Sequence, residues 1–219
     1  MTRTQSRPRR QSNSPDLRVI AAVVGVGLLV AVFAIIIVTA GGGSDTTSAD
    51  PEYGAVEGAS SSLPPLPDAG ADPAVGVVGP AIRSERPEGS ITVDPATDGE
   101  PTMLVFLAHW CPHCQAELPR LVQAAGEGTF DNIRTVAVLT GTDPARPNHP
   151  PSNWLESEGW TGEEFYDDAN GTAGGAYGLT NFPFLVFLNA DGTVALRLSG
   201  EQAPETIEAA VAAIAPPQA

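Results

Sequence analysis

The chain contains only two cysteines, Cys111 and Cys114, and two residues separate them. They come shortly after a continuous apolar run, 102–108, which is typical of a strand buried on both faces. Because there is no other cysteine, they can pair only with each other or with the sulfur of a partner. The fold must therefore present a close cysteine pair just beyond a buried strand, and this pattern indicates thiol–disulfide chemistry.

The N-terminal region predicts a membrane anchor. Residues 19–40 contain no charged side chain, and as a helix these 22 residues would extend about 33 Å, enough to cross a hydrocarbon core of about 30 Å. Five arginines lie within residues 1–18, and this asymmetry places the N-terminus in the cytoplasm and the rest of the chain outside. A cleaved signal peptide ending at Ala40 is the competing interpretation, although the apolar run is long for one.

The net charge excludes one class of partner. The chain has a formal charge of −15, and all but one of its 26 acidic residues follow the apolar run. Nucleic acid binding requires clustered positive charge, so we expect no nucleic acid partner.

The region after the anchor divides into a linker and one domain. Residues 41–74 are rich in Gly, Ser, Ala, Pro and Asp and lack apolar periodicity, which predicts a disordered linker. Residues 75–215 have a normal size for a single domain. Strand-like and helix-like segments alternate along them and end in a hairpin and a helix. This order predicts an α/β fold with a mainly parallel sheet that ends in an antiparallel pair.

The position of the cysteine pair predicts separate roles for its members. A helix is expected from Pro112 to Ala125, so Cys111 lies at a helix N-terminus, where the dipole favours a thiolate. We expect Cys111 to be the exposed attacking thiolate and Cys114 the resolving thiol. Pro112 suits the first helical position, and a protonated His113 would stabilise the thiolate and make the pair a better oxidant.

Three other uses of the cysteines fit the sequence less well. A static disulfide is common in exported domains, but a bridge across two residues gains little loop entropy. Zinc needs about four ligands, and the three histidines show no standard spacing, so we expect no metal. Covalent haem attachment requires His after the second cysteine, where Gln115 stands.

Two motifs resemble the thioredoxin superfamily. They are residues 110–114, WCPHC after a buried strand, and residues 181–184, NFPF before a later apolar run. The resemblance implies a thioredoxin-like three-layer α/β/α sandwich with a mixed sheet. It also implies a cis bond between Phe182 and Pro183, a substrate-docking face formed by these two residues and Trp110, and no bound cofactor.

The layout is most similar to TlpA-type membrane-anchored thioredoxins, which also carry an anchor, a tether and a strand–helix insertion, here residues 152–177. Two departures matter. The Pro-His dipeptide is typical of DsbA-type oxidases, so the direction of electron flow stays open. Thioredoxins also carry a buried Asp where this chain has Val105. Glu117 is a candidate substitute, but we expect it to lie on a solvated helix face.

The resulting prediction is a membrane-anchored, extracytoplasmic thiol–disulfide oxidoreductase that acts on protein thiols and disulfides, with a membrane redox partner as a further candidate. The alternative is a thioredoxin-like binding or assembly module with a static disulfide.

Overall fold

A computed structural model describes residues 52–59 and 61–215. The strands are β1 (Ala55–Glu57), β2 (Ile82–Arg86), β3 (Gly89–Val93), β4 (Thr102–Leu107), β5 (Arg134–Leu139), β6 (Glu163–Tyr166), β7 (Phe184–Leu188) and β8 (Val194–Ser199). The helices are α1 (Pro95–Asp98), α2 (Pro112–Gly126), α3 (Pro151–Glu158), α4 (Thr172–Ala176) and α5 (Pro204–Ile214).

The central sheet is mixed, as predicted. Its strand order is β6-β5-β4-β7-β8, with β5 parallel to β4 and to β6, and β7 antiparallel to β4 and to β8. The antiparallel part therefore begins one pair earlier than the predicted final hairpin. Strand β4 lies at the centre and all six of its residues are buried, as its continuous apolar sequence requires.

The two faces of the sheet are covered differently. Met103, Val105 and Leu107 face a core that also contains apolar side chains of α2, α3 and α5. Leu104 and Phe106 face a second core, which contains residues of α4, β2 and β3 together with Leu63 and Ala74. The three-layer sandwich is thus present in an altered form, because a three-stranded antiparallel sheet, β1-β2-β3, shares the second outer layer with the short α4.

The predicted linker is wrong for the part that the structure describes. Residues 55–57 pair with β2, and Leu63 is buried. The guanidinium of Arg197 donates to both carboxylate oxygens of Asp72, at 2.5 and 2.9 Å, and to the carbonyl of Pro64 at 2.8 Å. This guanidinium holds the pKa of Asp72 below its ordinary value. The segment is therefore attached to the domain by a few separate contacts. Such contacts produce no apolar periodicity in the sequence, so the sequence pattern did not predict them.

The N-terminus of α3 is stabilised by a distant part of the chain. The helix begins at Pro151. The backbone N–H and the hydroxyl of Ser152 donate to the carboxylate of Glu52, at 3.0 and 2.9 Å. A carboxylate from 100 residues away thus supplies the acceptor that the helix N-terminus requires.

Within these described ranges, no helix combines the length and hydrophobicity needed to span a membrane. The predicted cytoplasmic tail, 1–18, and the predicted anchor, 19–40, lie outside the described residues.

Candidate active site

The two cysteines lie where β4 passes into α2. Cys111 is the N-cap of α2, and Pro112 is its first residue. The backbone N–H of Cys111 donates to the carbonyl of Ala108 at 2.9 Å, and its own carbonyl accepts the N–H of Gln115 at 3.1 Å. The predicted placement of Cys111 at a helix N-terminus is therefore confirmed.

The cysteines differ in their access to solvent. Both are free thiols; Cys111 is 7% exposed and Cys114 is fully buried. Cys111 is thus less exposed than the sequence predicted, although it is the one that reaches a cleft. Burial raises the pKa of the Cys114 thiol well above its ordinary value, despite a hydrogen bond from the N–H of Ala108 at 3.4 Å, and the neighbouring Cys111 raises it further.

The cleft beside Cys111 is formed by segments that the antiparallel β7 brings to the same edge of the sheet. Because Phe184 pairs with Phe106 on one side and with Ser199 on the other, the start of β7 and the end of β8 both lie near the end of β4. The cleft is lined by Cys111, His113, Thr180, Asn181, Phe182, Ser199, Gly200 and Glu201. The Phe182–Pro183 peptide bond is cis, as the resemblance implied.

Trp110 lies at the side of this cleft. Its ring packs edge-on against Phe182 with centroids 6.1 Å apart, and its indole N–H donates to the carbonyl of Gly141 at 2.7 Å. The guanidinium of Arg146 lies 4.7 Å from the ring centroid. Trp110 and Phe182, predicted separately as docking residues, therefore form one aromatic wall.

A charged chain connects His113 to the interior. Nδ1 of His113 lies 2.6 Å from a carboxylate oxygen of Glu201, and Arg120 donates to the other oxygen of Glu201 at 2.8 Å. Arg120 also donates to Glu117 at 3.1 Å. The hydrogen bond from His113, followed by that from Arg120, lowers the pKa of Glu201.

The prediction that Glu117 lies on a solvated helix face is wrong. Its side chain is fully buried in α2, one turn after Cys114. Burial raises the pKa of this carboxyl, although the backbone N–H of Gln202 and the charge of Arg120 oppose the rise. Glu117 is also close enough to Cys114 to raise the pKa of that thiol. A buried carboxyl thus stands beside the buried cysteine.

Sequence reasoning missed Arg120, Glu201 and the contacts of His109. The spacing of Glu117 and Arg120 on one helix is a signal that was available, because residues three apart share a face. Glu201 is 88 residues from His113, and no local pattern connects them.

Among residues 52–59 and 61–215, no group of three or more His, Cys, Asp or Glu side chains is placed to hold a metal ion.

Comparison with known families identifies the fold. A family model described as a thioredoxin-like domain matches residues 94–215, more than half of the chain. The chain belongs to the thioredoxin-like family. A search of curated proteins finds no match.

Solved structures agree with this family. A protein described as a thiol:disulfide interchange protein DsbE from Chlorobium tepidum is 21% identical, with a TM-score of 0.53, over 64% of this chain and 96% of that one. The thioredoxin domain of a Bacteroides vulgatus thiol-disulfide oxidoreductase is 20% identical, with a TM-score of 0.50, over 63% and 98%. A secreted Mycobacterium tuberculosis disulfide oxidoreductase is 25% identical, with a TM-score of 0.48, over 57% and 90%. At these identities, the likeness to the Chlorobium tepidum and Bacteroides vulgatus structures shows the fold alone.

Proposed function

We propose that this protein exchanges disulfides with protein substrates through Cys111 and Cys114. The decisive observation is the arrangement of the two thiols, with Cys111 at the N-terminus of α2 on a cleft and Cys114 buried behind it beside Glu117. A static bridge needs neither a cleft nor a buried carboxyl. The names of the solved thiol–disulfide interchange proteins with this fold support the same activity.

The exchange proceeds in two balanced steps. The Cys111 thiolate attacks one sulfur of a substrate disulfide, which breaks that bond, forms a mixed disulfide and releases one substrate thiolate, which takes up a proton. Cys114 then loses its proton and attacks the sulfur of Cys111. This step releases the second substrate thiolate and leaves a Cys111–Cys114 disulfide. Two electrons pass to the substrate, and the reverse sequence oxidises a substrate dithiol.

The second step requires a proton acceptor for Cys114. Burial raises the pKa of Cys114, so this thiol does not ionise unaided at neutral pH. Glu117 is buried next to it, and its own raised pKa brings it closer to the operating pH than an exposed carboxyl would be. We assign Glu117 the role of accepting this proton.

Substrate docking uses the cleft. An extended substrate segment would lie along the backbone beside Pro183 by strand-like pairing, against the wall formed by Trp110 and Phe182. No bound cofactor is part of this proposal, because the two thiols hold the exchanged electrons.

We further propose that the domain acts outside the cytoplasm, anchored by residues 19–40. The support is the uncharged 22-residue run that follows five arginines. The substrates are then exported protein thiols and disulfides, and a membrane redox protein is a suitable partner for regenerating the pair.

The test is an exchange assay with the full-length protein, run in both the reducing and the oxidising direction. We expect one of two results. Either the reduced protein reduces the disulfides of insulin, or the oxidised protein forms disulfides in ribonuclease whose scrambled disulfides have first been reduced. The potential of the Cys111–Cys114 couple then gives the direction, since about −120 mV is typical of DsbA and about −270 mV of thioredoxin. A potential below about −300 mV with no exchange in either assay would establish the static bridge instead.

Replacing His113 with Ala should lower the potential of the couple. A protonated His113 stabilises the Cys111 thiolate and therefore the reduced form, and its loss favours the disulfide. His113 is 67% exposed and its Nδ1 lies 2.6 Å from the carboxylate of Glu201, so solvent and Glu201 screen its effect and the expected decrease is small, about 30 mV. Equilibration with glutathione measures it, with Thr180→Ala on the same cleft as the control. An unchanged potential would remove His113 from the redox-tuning residues.

A further inference from the structure

His109, which directly precedes Trp110, is a buried polar residue with no role in the exchange steps. It is 1% exposed. Nδ1 of its ring lies 2.6 Å from the carbonyl oxygen of Pro147, and Nε2 lies 3.2 Å from the backbone nitrogen of Asp143. Its backbone carbonyl accepts the side-chain amide of Asn148 at 3.1 Å. One residue thus contacts three positions of the segment between β5 and α3.

The two ring contacts define the protonation state of His109. The carbonyl of Pro147 can only accept, so Nδ1 carries the hydrogen. The backbone N–H of Asp143 can only donate, so Nε2 is the bare acceptor. Only the neutral ring with hydrogen on Nδ1 satisfies both contacts. The neutral ring therefore bridges two positions of one loop, as a donor to Pro147 and as an acceptor from Asp143.

That loop, residues 141–148, contacts the side chain of Trp110 at two positions. Gly141 accepts the indole hydrogen bond at one end of the loop, and Arg146 lies over the indole ring nearer the other end. Between these positions the ring of His109 holds Asp143 and Pro147. Asn148 has a φ of 60°, which Asn tolerates better than most residues, and this turns its amide toward His109. Without the ring, Asp143 and Pro147 would lose these two hydrogen bonds. The position of the loop at Trp110 would then depend on its remaining attachments, which include the hydrogen bond from the hydroxyl of Tyr53 to the carbonyl of Thr142 at 2.7 Å.

We propose that His109 is a positioning residue for protein substrates, whose neutral ring holds loop 141–148 and thereby fixes Trp110 at the edge of the cleft. This inference rests on the proposed exchange function and adds a determinant of substrate recognition to it. His109 does not contact the reacting sulfurs in this role, so its loss affects docking of a protein chain and spares the chemistry of small disulfides.

The surroundings of His109 keep it neutral at ordinary pH. Burial is the largest effect and lowers its pKa, and the ring of His149, with its centroid 5.7 Å away, acts in the same direction. The hydrogen bond to Pro147 and the charges of Asp143 and Glu52 oppose this. Protonation would place a hydrogen on Nε2 against the N–H of Asp143 and release the loop. Docking should therefore weaken only in acid, below the ordinary histidine pKa of about 6.5.

The test compares a protein substrate with a small one in single-turnover reactions of the full-length reduced protein. His109→Gln retains an acceptor near the Nε2 position and loses the donor at Nδ1. We expect its rate constant with insulin to fall about tenfold, the effect of one lost hydrogen bond, while the rate with glutathione disulfide stays within about twofold. For the wild type, the ratio of insulin to glutathione rates should fall below about pH 6.5, and for His109→Gln this ratio should no longer change with pH.

A second variant tests the same inference without changing a buried residue, in case His109→Gln misfolds. Arg146→Gln changes an exposed side chain on the loop and should produce the same selective loss, with Arg83→Gln on β2 as the matched control. The double variant should lose less than the product of the two single effects, because both act through one loop. Equal losses with both substrates, or no loss with either in Arg146→Gln, would overturn the inference. A wild type that reacts with neither substrate would instead refute the exchange function.

Discussion

Replacing Cys114 with Ser should trap protein substrates on Cys111 as a stable mixed disulfide. The buried thiol that resolves this intermediate is gone, while Cys111 at the N-terminus of α2 still attacks. Catalytic turnover should fall roughly 1,000-fold or more, because the variant completes only the first step. Incubation with insulin, followed by alkylation and intact-mass measurement, detects the adduct.

The matched control is Cys111→Ser. This variant keeps the buried thiol and removes the one on the cleft, so it should neither turn over nor form an adduct. If Cys111→Ser formed the adduct and Cys114→Ser did not, the assignment of attacking and resolving thiols would be reversed. If neither variant formed one, the pair would not exchange disulfides with proteins.

Replacing Glu117 with Gln should slow the resolution of the mixed disulfide about 100-fold at neutral pH, a typical loss for a proton acceptor. In the wild type the acceptor is the ionised carboxylate. Burial raises its pKa, so the resolution rate should fall as the pH decreases through a range above the ordinary Glu value of about 4.3. Glu117→Gln has no carboxyl at this position, so its resolution rate should not show this decrease with pH. Rapid-quench alkylation, which separates the mixed disulfide from released product, measures the rate.

Glu208→Gln is the control for the loss of a negative charge, because Glu208 is exposed on α5 outside the charged chain. It should resolve at the wild-type rate over the whole pH range. A Glu117→Gln variant with an unchanged rate and an unchanged pH profile would show that Cys114 gives its proton to another group. The initial attack by Cys111 should be affected little in either variant, since Glu117 lies beside Cys114.

The elements that surround the cysteines were predictable because their signals are local. The apolar run of β4 lies next to Cys111 in the chain, and Pro112 stands where helices begin. The predicted helix after the final hairpin is also present, as α5, Pro204–Ile214. The cis-proline was predictable by resemblance alone, since the residues themselves give a cis bond only a small prior.

The errors concern residues whose environment is set by distant parts of the chain. Glu117 occupies a helix position that looks solvated in sequence, yet the segment after β8 covers it and Gln202 donates to it. Asp72 lies in a sequence without periodicity, yet it is held by Arg197, 125 residues away. A helical period or an apolar run describes only neighbours along the chain, and neither reports which strand or loop will pack on top.

By itself, therefore, the sequence determined the chemistry and its position, because two cysteines in the whole chain, at the end of a buried strand and the start of a helix, leave few other uses. The tertiary structure decided how that pair is supplied with a proton acceptor and a docking face. Glu201 reaches the site because β7 runs antiparallel to both β4 and β8, which brings the end of β8 near the end of β4. Glu117 is buried because the segment after β8 covers it, and loop 141–148 lies at the site because it folds back onto His109. Burial and long-range hydrogen bonds set these properties, and they exist only after the chain has folded.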